Sequence, residues 1–170
     1  MNETRFNPTE PWLRGTLREV PAVLRGVLHA LELAKEDLWK WCYPLSEEQL
    51  NEKPNGIAPV AFHLRHIGRS LDRLLTYAEG RVLDESQLSS LKSELVARVK
   101  HQETFEELRA ALENADQRLR ALANADLEAP RKVGKRQLPT TVGGLLVHLA
   151  DHTQRHVGQA ITTTKLVTGR

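Results

Sequence analysis

Leucine and alanine recur at spacings of three and four residues along nearly the whole chain, and runs of β-branched residues are almost absent. This period matches one face of an α-helix, whereas a half-buried strand needs apolar residues at every second position. The pattern therefore predicts an all-α fold. At 170 residues, the chain is long enough to form one domain with its own core.

Proline, glycine and polar stretches divide the pattern into four long helices. They are predicted over residues 21–41, 58–78, 103–123 and 140–165, the last one N-capped by Thr140. The first helix should bury a stripe of Val23, Val27, Ala30, Leu31, Ala34 and Leu38. Four such helices predict a four-helix bundle within a single domain (residues 1–170, core about 21–165).

The connections between these helices differ in character. Ser46 and Gln49 have the spacing of a capping box and predict one short helical turn. Residues 81–100 are long enough for a crossover between the second and third helices, and they are partly amphipathic through Leu88, Leu91, Leu95 and Val99. Residues 124–139 are polar and basic, and we predict a loop there.

The charge balance gives no reason to expect a nucleic-acid partner. Lysine and arginine number 24 against 22 acidic residues, a net charge of +2. The basic segment at residues 131–136 is short and has no interleaved aromatic residues. The last forty residues carry seven basic residues against Asp151 alone. That local basic strip suits an anionic ligand or is simply solvated surface.

A cytoplasmic protein without a membrane partner is the expectation from the remaining composition. Cys42 is the single cysteine, so no internal disulfide indicates export. Residues 1–10 lack the apolar region of a secretory signal, and no apolar stretch reaches the length of a membrane span.

Histidines interrupt the apolar stripe of the fourth helix. Leu145, Leu149, His152 and His156 follow spacings of four, three and four, so two histidines stand where the pattern calls for leucine. Side chains four residues apart lie one helical turn above each other. Two such imidazoles can converge on one divalent ion, and a further ligand must then come from another helix.

The second helix supplies that ligand. His63 shares a stripe with Val60, Ile67 and Leu74, whereas His66 falls on a more polar edge. The residues therefore predict a metal site formed by neutral His63, His152 and His156, with an open position for water, as in catalytic zinc sites. The alternative is a set of core histidines that hydrogen-bond to one another or to Asp72.

Three neighbouring residues are candidates for supporting roles. His66, His148 and Gln159 could orient a ligand or contact a substrate, and His148 could also belong to an interface. Gly158 lies inside the predicted helix, where glycine is less stable than alanine. We therefore predict that it allows close packing against a neighbouring helix.

These residues carry a family resemblance over residues 21–165. Asp151-His152-x-x-x-His156-x-Gly158-Gln159, together with Ile57 six residues before His63, resembles the DinB-like superfamily. This superfamily includes DinB and YfiT-type proteins, bacillithiol transferases and the mycothiol-dependent maleylpyruvate isomerase. The chain departs from many members in one place, because Asn55-Gly56 stands where they have a Trp-Ser pair.

The resemblance implies a bundle with a crossover, a frequent homodimer and a divalent metal held by His63, His152 and His156. It also implies a metal-dependent enzyme that activates a low-molecular-weight thiol for transfer to an electrophile, so a small thiol and a small electrophile are the expected partners. The alternatives are a metal-dependent hydrolase and a non-catalytic, stress-associated metal-binding dimer. Zinc is the transition metal expected first, and nickel, iron or manganese would also suit the site.

Overall fold

The computed structural model describes residues 8–93 and 98–169, and these residues are predominantly helical. The helices are α1 (Ala22–Trp41), α2 (Glu47–Asn51), α3 (Val60–Ala78), α4 (Glu85–Ser93), α5 (His101–Ala121) and α6 (Val142–Thr168). Short 3₁₀ turns cover Pro11–Leu13 and Pro54–Gly56, and one hairpin joins β1 (Pro130–Val133) to β2 (Leu138–Thr141). The predicted all-α helical bundle is confirmed, with α1, α3, α5 and α6 as its long helices.

Helices α3 and α5 run parallel to each other. Arg69 Nε donates to Glu107 Oε1 over 3.1 Å. Eleven residues further along α5, Arg118 Nε donates over 2.6 Å to Oε1 of Glu79, which directly follows the last residue of α3. Residue numbers thus rise together on the two helices. Parallel neighbours need a connection that returns along the bundle. The connection from α3 to α5 spans residues 81–100 and includes α4, while Leu95 and the side chain of Leu91 lie outside the described part of the chain.

Helix α6 completes the bundle between α1 and α3. Gln154 Nε2 donates to the Ala30 carbonyl over 2.7 Å, and Cys42 Sγ lies 3.4 Å from Thr164 Oγ1, so α6 runs parallel to α1. Its contacts with α3 run in the opposite sense. The buried faces of all four helices form one apolar core, which includes Leu38, Leu64, Phe105 and Leu146. Within the described part of the chain, no helix combines the length and the apolar character needed to cross a bilayer.

Several helix ends differ from the sequence-based predictions. Thr141 rather than Thr140 caps α6, because its Oγ1 accepts a hydrogen bond from the Gly144 amide over 3.1 Å. The same helix continues to Thr168. Val23 was expected in the core but is 39% exposed, since it lies on the outer side of the first turn of α1. The capping box of Ser46 and Gln49 is confirmed.

Most of the β-hairpin falls within the predicted loop at residues 124–139, and β2 continues to Thr141, so that prediction was wrong in part. The strands pair antiparallel, with Pro130 opposite Thr141 and Val133 opposite Leu138. Gly134 and Gln137 at its turn have positive φ values of 69° and 52°. Four-residue strands with a proline in each give little apolar alternation, which is why the sequence pattern did not reveal them.

Candidate metal centre

Four imidazole rings meet where the antiparallel helices α3 and α6 face each other. His66 Nε2 lies 2.9 Å from His152 Nε2, and His63 Nδ1 lies 3.0 Å from His156 Nδ1. Both pairs arise from periodicity, because residues three or four apart share one face of a helix. Residue numbers rise on α3 as they fall on α6, so the earlier histidine of one helix meets the later histidine of the other.

Three of these rings form a group suited to one metal ion. Among the described residues, His66, His152 and His156 each offer a ring nitrogen, and these nitrogens all lie within 4.8 Å of one another. Two nitrogens bound to one tetrahedral zinc ion at about 2.0–2.1 Å would be roughly 3.3 Å apart. The 2.9 Å between His66 and His152 is somewhat shorter, as befits a hydrogen bond between two imidazoles. The three rings are thus grouped closely enough to hold one metal ion between them.

The geometric group differs in one member from the set predicted by sequence. His152 and His156 are common to both, but the group contains His66 in place of His63. His63 is buried, 4% exposed, and contacts the group through His156. The signal that favours His66 is its position three residues after His63, which places both rings toward α6.

The two histidines of α6 lie at the edge of the core rather than within it. Leu149, Thr153 and Val157 are buried, whereas His152 and His156 are half-buried. Because α6 packs against both α1 and α3, its most buried line runs between these two helices. The histidines stand on the flank nearer α3, where a ligand from solvent can reach them.

Comparison with protein families gives the same assignment as the motif. The family model of the DinB superfamily matches residues 30–160, most of the chain. The chain belongs to the DinB superfamily. All four clustered histidines of this DinB domain fall inside the matched range. Comparison with curated proteins and with solved structures finds no match.

Burial keeps three histidines of the DinB domain neutral near pH 7. Removal from water, followed by the charge of His66, lowers the pKa of His63 to about 4. Burial is also the first cause for His152 and His156, whose pKa values fall to about 4, and the positive charge of Arg155 adds to the effect at both rings. A neutral imidazole keeps the lone pair that a metal ligand needs.

An aromatic ring closes one side of the cluster. Phe62 stacks on His66 with ring centroids 5.3 Å apart and meets His156 edge-on at 6.2 Å. Phe62 therefore limits the rotation of two rings in the group and keeps water from one side of them.

The supporting residues proposed from sequence occupy different places. His148 is exposed, with its ring centroid 5.4 Å from that of His152. Gln159 is exposed and lines a cleft next to His63. Asp72 accepts hydrogen bonds from Arg118 and Gln87, while the histidines pair with each other.

Gly158 does not pack against a neighbouring helix, so that prediction was wrong. A Cβ atom at this position would meet nothing within 4 Å. Gly158 instead lines the same cleft as Gln159, which has a volume of about 490 Å³ and shares His63 with the histidine cluster.

Proposed function

We propose that this DinB-superfamily chain is a metal-dependent enzyme that activates a low-molecular-weight thiol for transfer to an electrophile. The observation that carries the proposal is the group formed by His66, His152 and His156, whose ring nitrogens lie within 4.8 Å of one another. His63, which contacts His156, connects this group to an open cleft. Structural zinc sites have four protein ligands, whereas three leave a position for a substrate.

The donor set suits a divalent transition metal. Three neutral imidazoles match zinc first, and nickel, iron or manganese are also suitable. When bound, such an ion would lower the pKa of a coordinated thiol and so supply the nucleophile. His66, His152 and His156 would hold the ion, although the resemblance places His63 in that role.

His63 then has a positioning role. A ligating histidine usually makes a hydrogen bond through its second ring nitrogen, which fixes the ring orientation. His63 Nδ1 is 3.0 Å from His156 Nδ1 and supplies such a contact for His156.

The reacting thiol has to come from outside the chain. Cys42, the one cysteine of the sequence, is fully buried, and burial raises its pKa to about 11. It lies against Thr164 of α6 rather than in the histidine cluster. A thiol cosubstrate would be abundant in a reducing cytoplasm, where we expect this protein to work as a homodimer.

Cobalt substitution tests this function. Protein loaded with Co²⁺ should gain near-ultraviolet sulfur-to-cobalt absorption when a small thiol such as cysteine methyl ester is added. The double variant His152→Ala/His156→Ala should not gain it, and His101→Ala, at a site away from the cluster, should behave as wild type. Absence of the thiol signal together with ester hydrolysis would favour the hydrolase. Absence of both would favour a non-catalytic metal-binding protein.

A further inference from the structure

The cleft beside the histidine cluster combines apolar walls with one cation. Ile57 and Leu166 give it apolar surface and are 45% and 49% exposed. Among the described residues that line the cleft, Arg155 carries the one permanent charge. The volume of about 490 Å³ lies in the range of small-molecule sites.

Gly158 keeps one wall of this cleft open. A glycine inside a helix is destabilising relative to alanine, and here no neighbouring element needs the space, because a Cβ would meet nothing within 4 Å. The missing side chain therefore leaves room in the cleft itself.

Arg155 can offer its guanidinium group to a ligand. Its Nη2 donates to Asp151 Oδ2 over 2.5 Å, and both side chains are more than half exposed, so their pairing contributes little to stability. A guanidinium has five N–H donors, and a carboxylate binds to two of them. One donor of Arg155 is directed at Asp151, so enough donors remain for a ligand carboxylate.

We propose that this cleft binds a small carboxylic acid with an apolar body. The carboxylate pairs with Arg155, and the apolar body lies over Gly158 between Ile57 and Leu166. The proposal deepens the proposed function by giving the substrate's binding features, a carboxylate and an apolar body, and it rests on that function only for the reaction that follows binding.

Binding of phenylacetate, compared with its neutral analogue phenylacetamide, tests the assignment. Amide chemical shifts of the full-length chain as purified report saturable binding, and elemental analysis reports the metal content of each sample. Phenylacetate should shift the amide signals of Gly158 and Gln159 and bind about tenfold more tightly than phenylacetamide. Arg155→Gln should remove this difference, and Gly158→Leu should weaken both ligands.

Two matched variants control for unrelated effects. Arg120 forms the same i,i+4 pair with Asp116 on α5, so Arg120→Gln removes an equivalent charge away from the cleft. Gly26 is a second helical glycine with nothing within 4 Å of a Cβ, so Gly26→Leu repeats the glycine substitution on α1. Both variants should bind phenylacetate as wild type does.

Three outcomes would overturn the assignment. The first is equal affinity for phenylacetate and phenylacetamide, and the second is tight phenylacetate binding that survives Arg155→Gln. The third is a lack of saturable binding, which would also result if a second copy of the chain covered the cleft. Acid binding lost in His152→Ala/His156→Ala but kept in Arg155→Gln would show direct metal coordination instead. Acid binding as expected in protein that takes up no metal on reconstitution would support the cleft and count against the proposed function alone.

Discussion

His66 Nε2 and His152 Nε2 lie 2.9 Å apart across the antiparallel helices α3 and α6. This short contact joins two residues that are 86 positions apart in sequence. It makes His66, rather than its neighbour His63, the member of α3 that belongs to the three-nitrogen group with His152 and His156.

The first prediction separates the two histidines of α3. His66→Ala should reduce zinc affinity by more than a hundredfold, because it removes a proposed ligand. His63→Ala should reduce it by about 10–100-fold and keep one equivalent at saturation, because it removes a partner of a ligand. Competition with a chromophoric chelator measures both. The reverse result would favour the ligand set that contains His63.

Acid should destabilise the metal-free protein. His63, His152 and His156 have folded-state pKa values of about 4, below the ordinary value of 6.5. Between these limits the unfolded chain binds more protons than the folded one, so the free energy of unfolding falls as pH decreases from 6.5 to 4. Buried His63 alone should contribute up to about 3 kcal/mol to this loss.

Urea unfolding of metal-free protein at pH 7, 5.5 and 4.5 checks this dependence. The midpoint should decrease at each step, and His63→Gln should flatten the profile. A wild-type midpoint that stays constant from pH 7 to 4.5 would contradict the account of burial in the cluster.

Cys42 should be inert in the folded protein. Burial raises its pKa to about 11, and its Sγ contacts Thr164 Oγ1. A thiol reagent such as DTNB should therefore react with the folded protein only as fast as the protein unfolds. In guanidinium, where the chain is unfolded, it should label one equivalent at once. Rapid labelling of native protein would mean that the chain supplies a reactive thiol of its own.

The parallel contact of α3 and α5 depends on a small residue. A Cβ at Gly68 would stand 3.1 Å from the Ala111 Cβ, whereas a Cβ at Gly26 would meet nothing within 4 Å. Gly68→Leu should lower the free energy of unfolding by about 1–3 kcal/mol through overpacking. Gly26→Ala should raise it by up to about 1 kcal/mol through helix propensity. Equal urea midpoints for the two variants would contradict this packing.

The helices could be predicted from sequence because their signals are local. Leu31, Ala34 and Leu38 repeat with the helical period, and all three are buried in α1. The crossover could be anticipated from the length of its segment. The hairpin could not, because β1 and β2 are short, contain proline and alternate weakly.

The candidate site could be predicted only in part. His152 and His156 were selected because they replace leucine in a repeating pattern, and both belong to the three-nitrogen group. The choice between His63 and His66 depends on how α3 is rotated against α6, and this rotation is set by packing across the whole bundle rather than by the spacing within α3. For the same reason the sequence pattern placed His152 in the core, although it is half-buried at the edge.

The metal content of tag-free protein tests the central claim most directly. Elemental mass spectrometry should find about one equivalent of a transition metal per chain in wild type and in His101→Ala. The double variant His152→Ala/His156→Ala should contain none, although its helical content stays unchanged by circular dichroism. Wild-type protein that holds no metal after reconstitution with zinc, nickel, iron or manganese would contradict the account.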